Sequence, residues 1–91
     1  MRTEVKASVV KRLNRVAGQV GGITRMVEAD RYCIDIITQI TAVRAALRRI
    51  EDAVLGEHVA HCVNDAIKSG DKDEQRRKVD ELVEVLGRAS R

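Results

Sequence analysis

The chain is 91 residues long, with 34% charged residues, no Pro, Trp or Phe, a single Tyr and a formal net charge of +3. Aliphatic side chains mixed with charge, and no proline, suit long helices and leave little material for strands, so one all-α domain over residues 1–91 is expected. A chain this short buries only about 60–65% of the surface it exposes when unfolded, which makes a lone protomer marginal.

The first element is read from Val5, Val9, Leu13, Val16, Val20, Ile23 and Val27, whose three- and four-residue steps predict one helix face from about Thr3, as N-cap, to about Glu28. Gly18, Gly21 and Gly22 interrupt that face. They mark either the close approach of a neighbouring helix or a break near Gly21-Gly22. Asp30 then reads as the N-cap of a second helix carrying Ile36, Ile40, Val43, Leu47, Ile50 and Val54. Nothing punctuates it before Ser69-Gly70, and a helix of that length, roughly 55 Å, outgrows a compact protomer, so its stripe needs a second chain. Gly70 suits a helix C-terminus, and Asp71 with Glu74 forms a capping-box signature. The third helix carries Val79, Leu82, Val83 and Leu86 and is expected to end near Gly87.

Charge is unevenly placed. Residues 1–49 hold ten Lys/Arg against four acids, whereas residues 50–91 hold seven against ten. Such asymmetry fits a polyanion-binding face and equally fits solvated helix surface. No run of roughly 18 apolar residues is present to span a membrane. Met1-Arg2-Thr3-Glu4 lacks the apolar core of a signal peptide, which points to the cytoplasm. Thiols stay reduced there, so the two cysteines suggest a metal or redox role before a disulfide.

Three residues carry the chemistry: Cys33, His58 and Cys62. His58 and Cys62 are spaced i, i+4 and project from one helix face. Cys33 lies 25 residues before His58, about 37 Å along a helix axis, so one chain cannot close a site with all three. Two antiparallel copies related by a two-fold axis near Ala45-Ala46-Leu47 would set Cys33 of one against His58 and Cys62 of the other, twice per dimer. Two thiolates and one imidazole make a soft set of low coordination number that favours copper(I), while zinc with a water ligand stays open on chemistry alone. A free Cys is also commonly a small core residue. His61 points about 100° away from Cys62 and is read as solvated.

The segments Arg15–Met26 (RVAGQVGGITRM), Asp30–Asp35 (DRYCID), Gln39–Val43 (QITAV) and Glu57–Cys62 (EHVAHC) together resemble the copper-sensing operon repressor family over about residues 5–87. The resemblance implies a three-helix protomer, an antiparallel dimer and a dimer-of-dimers homotetramer. It further implies an apo form that binds operator DNA and copper(I) that releases it. Cys33, His58 and Cys62 match the family's copper ligands, Tyr32 its outer-shell tyrosine, and Glu81 the glutamate that bonds the ligating histidine, with a few extra residues around Lys72–Gln75 loosening that last match. Arg12 and Arg49 resemble its operator-contacting arginines, with Lys11, Arg15 and Arg48 nearby. Sister branches depart from this chain: the persulfide sensors lack the His, the nickel and cobalt sensors add an N-terminal His, and the formaldehyde sensors need a Pro beside the Cys.

The function expected from this reading is a copper(I)-responsive transcriptional repressor. The alternatives are a thiol- or persulfide-sensing repressor of the same fold using Cys33 and Cys62, and a copper-buffering module with no DNA target. No acid/base pair, activated nucleophile or phosphate loop is visible, so an enzyme is not expected.

Overall fold

The structure, a computed structural model, describes residues 1–89, with the backbone alone at Ala89. Every regular element among the described residues is helical: α1 (Thr3–Glu28), α2 (Cys33–His58), a π-helical turn (Val59–Val63), α3 (Asn64–Ser69) and α4 (Lys72–Ala89). Helical backbone continues without interruption over residues 33–69, so α2, the π turn and α3 together form the long second helix of the expected three. The π turn adds an i→i+5 repeat that the sequence pattern gave no sign of.

Contacts divide the chain into a first unit, Met1–Leu55, and a second beginning at Gly56. In the first, Val9 and Val16 of α1 are buried with Val43 and Ile50 of α2, and Val5, Ile23 and Ala46 pack against them. These residues are half of the expected stripe. Val9, Val16 and Ile23 repeat every seven residues, as do Ile36, Val43 and Ile50. The other half, Leu13, Val20 and Val27 with Ile40, Leu47 and Val54, forms rows about 40° further round each helix. Those six side chains are exposed, Leu13 to 42%, Val20 to 47%, Val27 to 55%, Ile40 to 42%, Leu47 to 43% and Val54 to 37%. One flank of each helix therefore closes the hairpin, and the other stays apolar and uncovered within the chain.

The connection between α1 and α2 differs from expectation. Asp30 is not an N-cap: it takes φ +53°, donates its N–H to the Val27 carbonyl at 3.1 Å, and is followed by Arg31 N–H donating to Met26 O at 3.0 Å. This pair of bonds is a Schellman closure of α1, with Asp30 in the left-handed position that glycine usually fills. Asp tolerates that conformation better than most residues, which is why the chain turns here without glycine. The Tyr32 carbonyl accepts the first bonds of α2, from Asp35 N–H at 3.0 Å and Ile36 N–H at 3.2 Å. Cys33 is accordingly the first residue of α2, where a cap at Asp30 would have made it the third. Thr3 likewise opens α1 as its first helical residue, with Arg2 in the capping position. The helix runs through Gly21-Gly22 unbroken; Gly18 faces open space, and Gly21 and Gly22 lie under the guanidinium of their own Arg25.

In the second unit Gly70, at φ +71°, ends α3 as expected, and Asp71 caps α4. Its Oδ1 accepts from Asp73 N–H at 2.9 Å and Glu74 N–H at 3.3 Å. The capping box is not reciprocal, because Asp71 N–H goes to Ser69 Oγ at 3.2 Å and Glu74 pairs instead with Arg77. Ala66 is buried, whereas Val79, Val83 and Leu86 of α4 are exposed. α4 also continues through Gly87 to Ala89.

Removing the cap by Asp71→Ala lowers stability by about 1 kcal/mol, and Asp30→Val, which forces a β-branched residue into a left-handed position, costs about 1–2 kcal/mol. Urea unfolding followed by circular dichroism checks both. An unchanged midpoint in either variant contradicts the corresponding turn.

Candidate metal centre

Cys33 stands exposed at the N-terminus of α2, directly after the Schellman turn, and so is anchored by the first unit. His58 and Cys62 belong to the second. His58 is the last residue of α2 and is half-buried, and Cys62 sits inside the π turn with its thiol exposed. The His–Cys spacing thus spans the junction where the helix widens. π turns of this kind are frequent at functional sites, because the extra residue re-aims side chains without breaking the helix. Among the described residues no three His, Cys, Asp or Glu side chains of one chain gather in a way that would hold a metal ion.

The other expected participants are placed as follows. Tyr32 is exposed, immediately before Cys33, with its carbonyl committed to the start of α2. Glu81, on α4 in the second unit, has its carboxylate 3.6 Å from Lys78 Nζ, so it meets a lysine where the resemblance puts an imidazole. The carboxylate–imidazole contact seen in this chain involves different residues: His61 Nε2 lies 3.0 Å from Glu57 Oε1. The His61 side chain is 45% exposed and that of Glu57 only 5%. His61 is therefore a partnered ring, not simply a solvated one. The signal was present as a Glu-x-x-x-His spacing, the i, i+4 neighbourhood of any helix.

The basic residues lie elsewhere, on the first unit. Lys11, Arg12 and Arg15 fall between the buried Val9 and Val16 of α1, and Arg48 and Arg49 between the buried Val43 and Ile50 of α2; all five are exposed. The two core-bracketed segments, residues 9–16 and 43–50, also hold Arg44 and contain no acid. Six cations without an intervening carboxylate on one packed hairpin make a surface suited to phosphate.

Because Glu57 is buried, His61→Ala removes one of the polar contacts of its carboxylate and lowers stability by about 1 kcal/mol. The denaturant midpoint measures this, and a midpoint equal to wild type contradicts the contact.

No helix among the described residues is long and apolar enough to cross a membrane. The copper-sensing transcriptional repressor CsoR of Bacillus subtilis is 48% identical over 81 residues, 89% of this chain and 77% of its own length. The copper-sensing transcriptional repressor RicR of Mycobacterium tuberculosis is 53% identical over 68 residues, 75% of this chain and 71% of its own. Among solved structures, the copper-sensing repressor CsoR with Cu(I) from Geobacillus thermodenitrificans superposes with a TM-score of 0.90 at 40% identity, covering all of this chain and 92% of that one. Residues 5–88 match the family described as metal-sensitive transcriptional repressors. The α-helical fold, the basic hairpin and the soft-donor residues converge with these likenesses: the chain belongs to the metal-sensitive transcriptional repressor family.

Proposed function

We propose that this chain is a copper(I)-responsive transcriptional repressor, a single metal-sensing and DNA-binding domain that works as a homo-oligomer in the cytoplasm. The observation that carries the reading is the division of the donors: Cys33 belongs to the first unit, His58 and Cys62 to the second, and no three-donor group forms among the described residues. A second copy supplies what is missing. In an antiparallel dimer Cys33 of one protomer would hold the ion together with His58 and Cys62 of the partner subunit. Two sulfurs and one nitrogen fit copper(I), which accepts few, soft ligands, better than zinc, whose closed sites take four. When bound, copper(I) supplies a soft link between thiolate and imidazole donors of two subunits. The names of the similar repressors from Bacillus, Mycobacterium and Geobacillus support the same metal.

The dimer also answers the uncovered apolar rows. Ile40, Leu47 and Val54 of α2 and Leu13, Val20 and Val27 of α1 are exposed side by side with the closed core, and Ala45 and Leu47 are exposed near the midpoint of α2 while Ala46 packs inward. A two-fold axis at Ala45–Leu47 pairs those rows with their copies. Further pairing of dimers into a tetramer would cover α4, where Val79, Val83 and Leu86 are exposed.

Arg12 and Arg49, supported by Lys11, Arg15 and Arg48, take operator phosphates in the apo state. Tyr32 flanks the Cys33 ligand, and Glu81 exchanges Lys78 for the His58 ring when metal is present. Since Cys33 begins the helix that carries Arg48 and Arg49, a shift imposed at its N-terminus reaches the DNA-binding hairpin through continuous helix. A tenfold fall in operator affinity requires only about 1.4 kcal/mol of coupling.

Fluorescence anisotropy with the protein's own promoter DNA tests this reading. Apo protein is expected to bind with a steep salt dependence that Arg12→Ala or Arg49→Ala weakens, and copper(I) is expected to release it. Cys33→Ser, His58→Ala and Cys62→Ser keep DNA binding and lose the release. Release of Cys33→Ser by copper(I) contradicts the proposal, and a His58→Ala protein that still responds to sulfane sulfur supports thiol sensing instead.

Leu47→Glu places a charge in the uncovered row and is expected to convert the oligomer to monomer in sedimentation experiments, with loss of copper(I) binding. An oligomer of unchanged mass contradicts the assignment of that face.

A further inference from the structure

Two imidazoles compete for the place beside Cys62. His58 precedes it by four residues and His61 by one, and both rings belong to the second unit. The two differ in how they are held. His61 Nε2 lies 3.0 Å from Glu57 Oε1, and Glu57, 5% exposed at its side chain, is the buried charged residue of the described structure. A carboxylate withdrawn from water is kept only where it is hydrogen-bonded. A neutral ring that donates Nε2–H to a carboxylate has no lone pair left at that nitrogen for a metal. For His61 to offer Nε2 to an ion, its contact with the buried carboxylate must be broken.

We propose that Glu57 is a positioning residue that selects between the two imidazoles: by holding His61 at Nε2, it leaves His58 as the nitrogen donor beside Cys62. The proposal rests on the reading that His58 and Cys62 bind copper(I), and concerns how that nitrogen is chosen. It gives the Glu57–His61 pair a role distinct from ligation. A carboxylate hydrogen-bonded to an imidazole is also the arrangement that orients a ligating histidine, so the competing assignment is His61 as ligand through Nδ1. The two make opposite predictions.

Long-range proton–nitrogen spectra of the imidazole rings, recorded on the wild-type protein during titration with copper(I), separate them. The selection predicts that the His58 nitrogens shift on metal addition while His61 keeps its Nε2–H and its resonances. Metal-dependent shifts at His61, with or without His58, overturn it. Shifts at neither ring remove the copper reading itself, and the selection with it.

Competition for copper(I) against a chromophoric chelator gives a second test. The double variant H58A/E57A is expected to bind roughly tenfold or more tightly than H58A, because His61 is released to serve as donor. H58A/E57Q is expected to match H58A, since the amide oxygen still accepts the Nε2–H. Equal affinity of H58A/E57A and H58A, in protein whose helicity is retained, overturns the selection. Should E57A fail to fold, the wild-type spectra decide alone.

Discussion

A metal ion is bound only where its donors converge, and helical rise keeps the donors of this chain from converging. Residues 33 and 58 begin and end α2, a helix of 26 residues, and each helical residue adds about 1.5 Å. A thiol at the first position and an imidazole at the last cannot share one ion unless another copy of the helix brings its opposite end alongside. The proposed copper(I) site therefore calls for a partner, an antiparallel pairing, and two equivalent sites for each pair of chains.

The same two helices must then serve three surfaces. Their apolar stripe is wide enough for two adjacent rows repeating every seven residues; one row closes the hairpin through Val9, Val16, Val43 and Ile50, and the next remains available to a second chain. The exposed cations occupy the same turns, with Lys11, Arg12 and Arg15 between the core valines of α1 and Arg48 and Arg49 between the core residues of α2. Core, uncovered apolar row and exposed positive charge are thereby set on one pair of helices. Cys33, the thiol proposed as a ligand, is fixed at the end of that pair, one residue beyond the backbone carbonyl of Tyr32 that starts α2. His58 instead immediately precedes a widened turn and Cys62 lies within it, where the backbone departs from the regular repeat.

Much of this was legible in the sequence. Helix extent followed from three- and four-residue spacing, and the start of α4 from Asp71. What the spacing could not show was which flank of a stripe meets its own chain, because adjacent rows carry the same valines, leucines and isoleucines. Asp30 misled because the residue type that caps a helix start also tolerates the left-handed conformation that ends one; only the backbone angle distinguishes the two uses. The π turn leaves no residue signature, since its five residues are ordinary helix formers in an ordinary polar pattern. The Glu57–His61 contact had the spacing of a helical neighbour pair, but the burial of Glu57, which gives it weight, is not encoded in that spacing.

The most direct measurement of the central claim is copper(I) stoichiometry in mixed oligomers. Protein carrying Cys33→Ser and protein carrying His58→Ala with Cys62→Ser are each unfolded, combined in equal amounts and refolded together. Each variant alone is expected to lack tight sites. Random pairing puts half of the dimers in the mixed form, each with one intact site of two, so the mixture recovers about a quarter of the wild-type stoichiometry. No recovery in the mixture, or full stoichiometry in Cys33→Ser alone, contradicts a site shared between subunits.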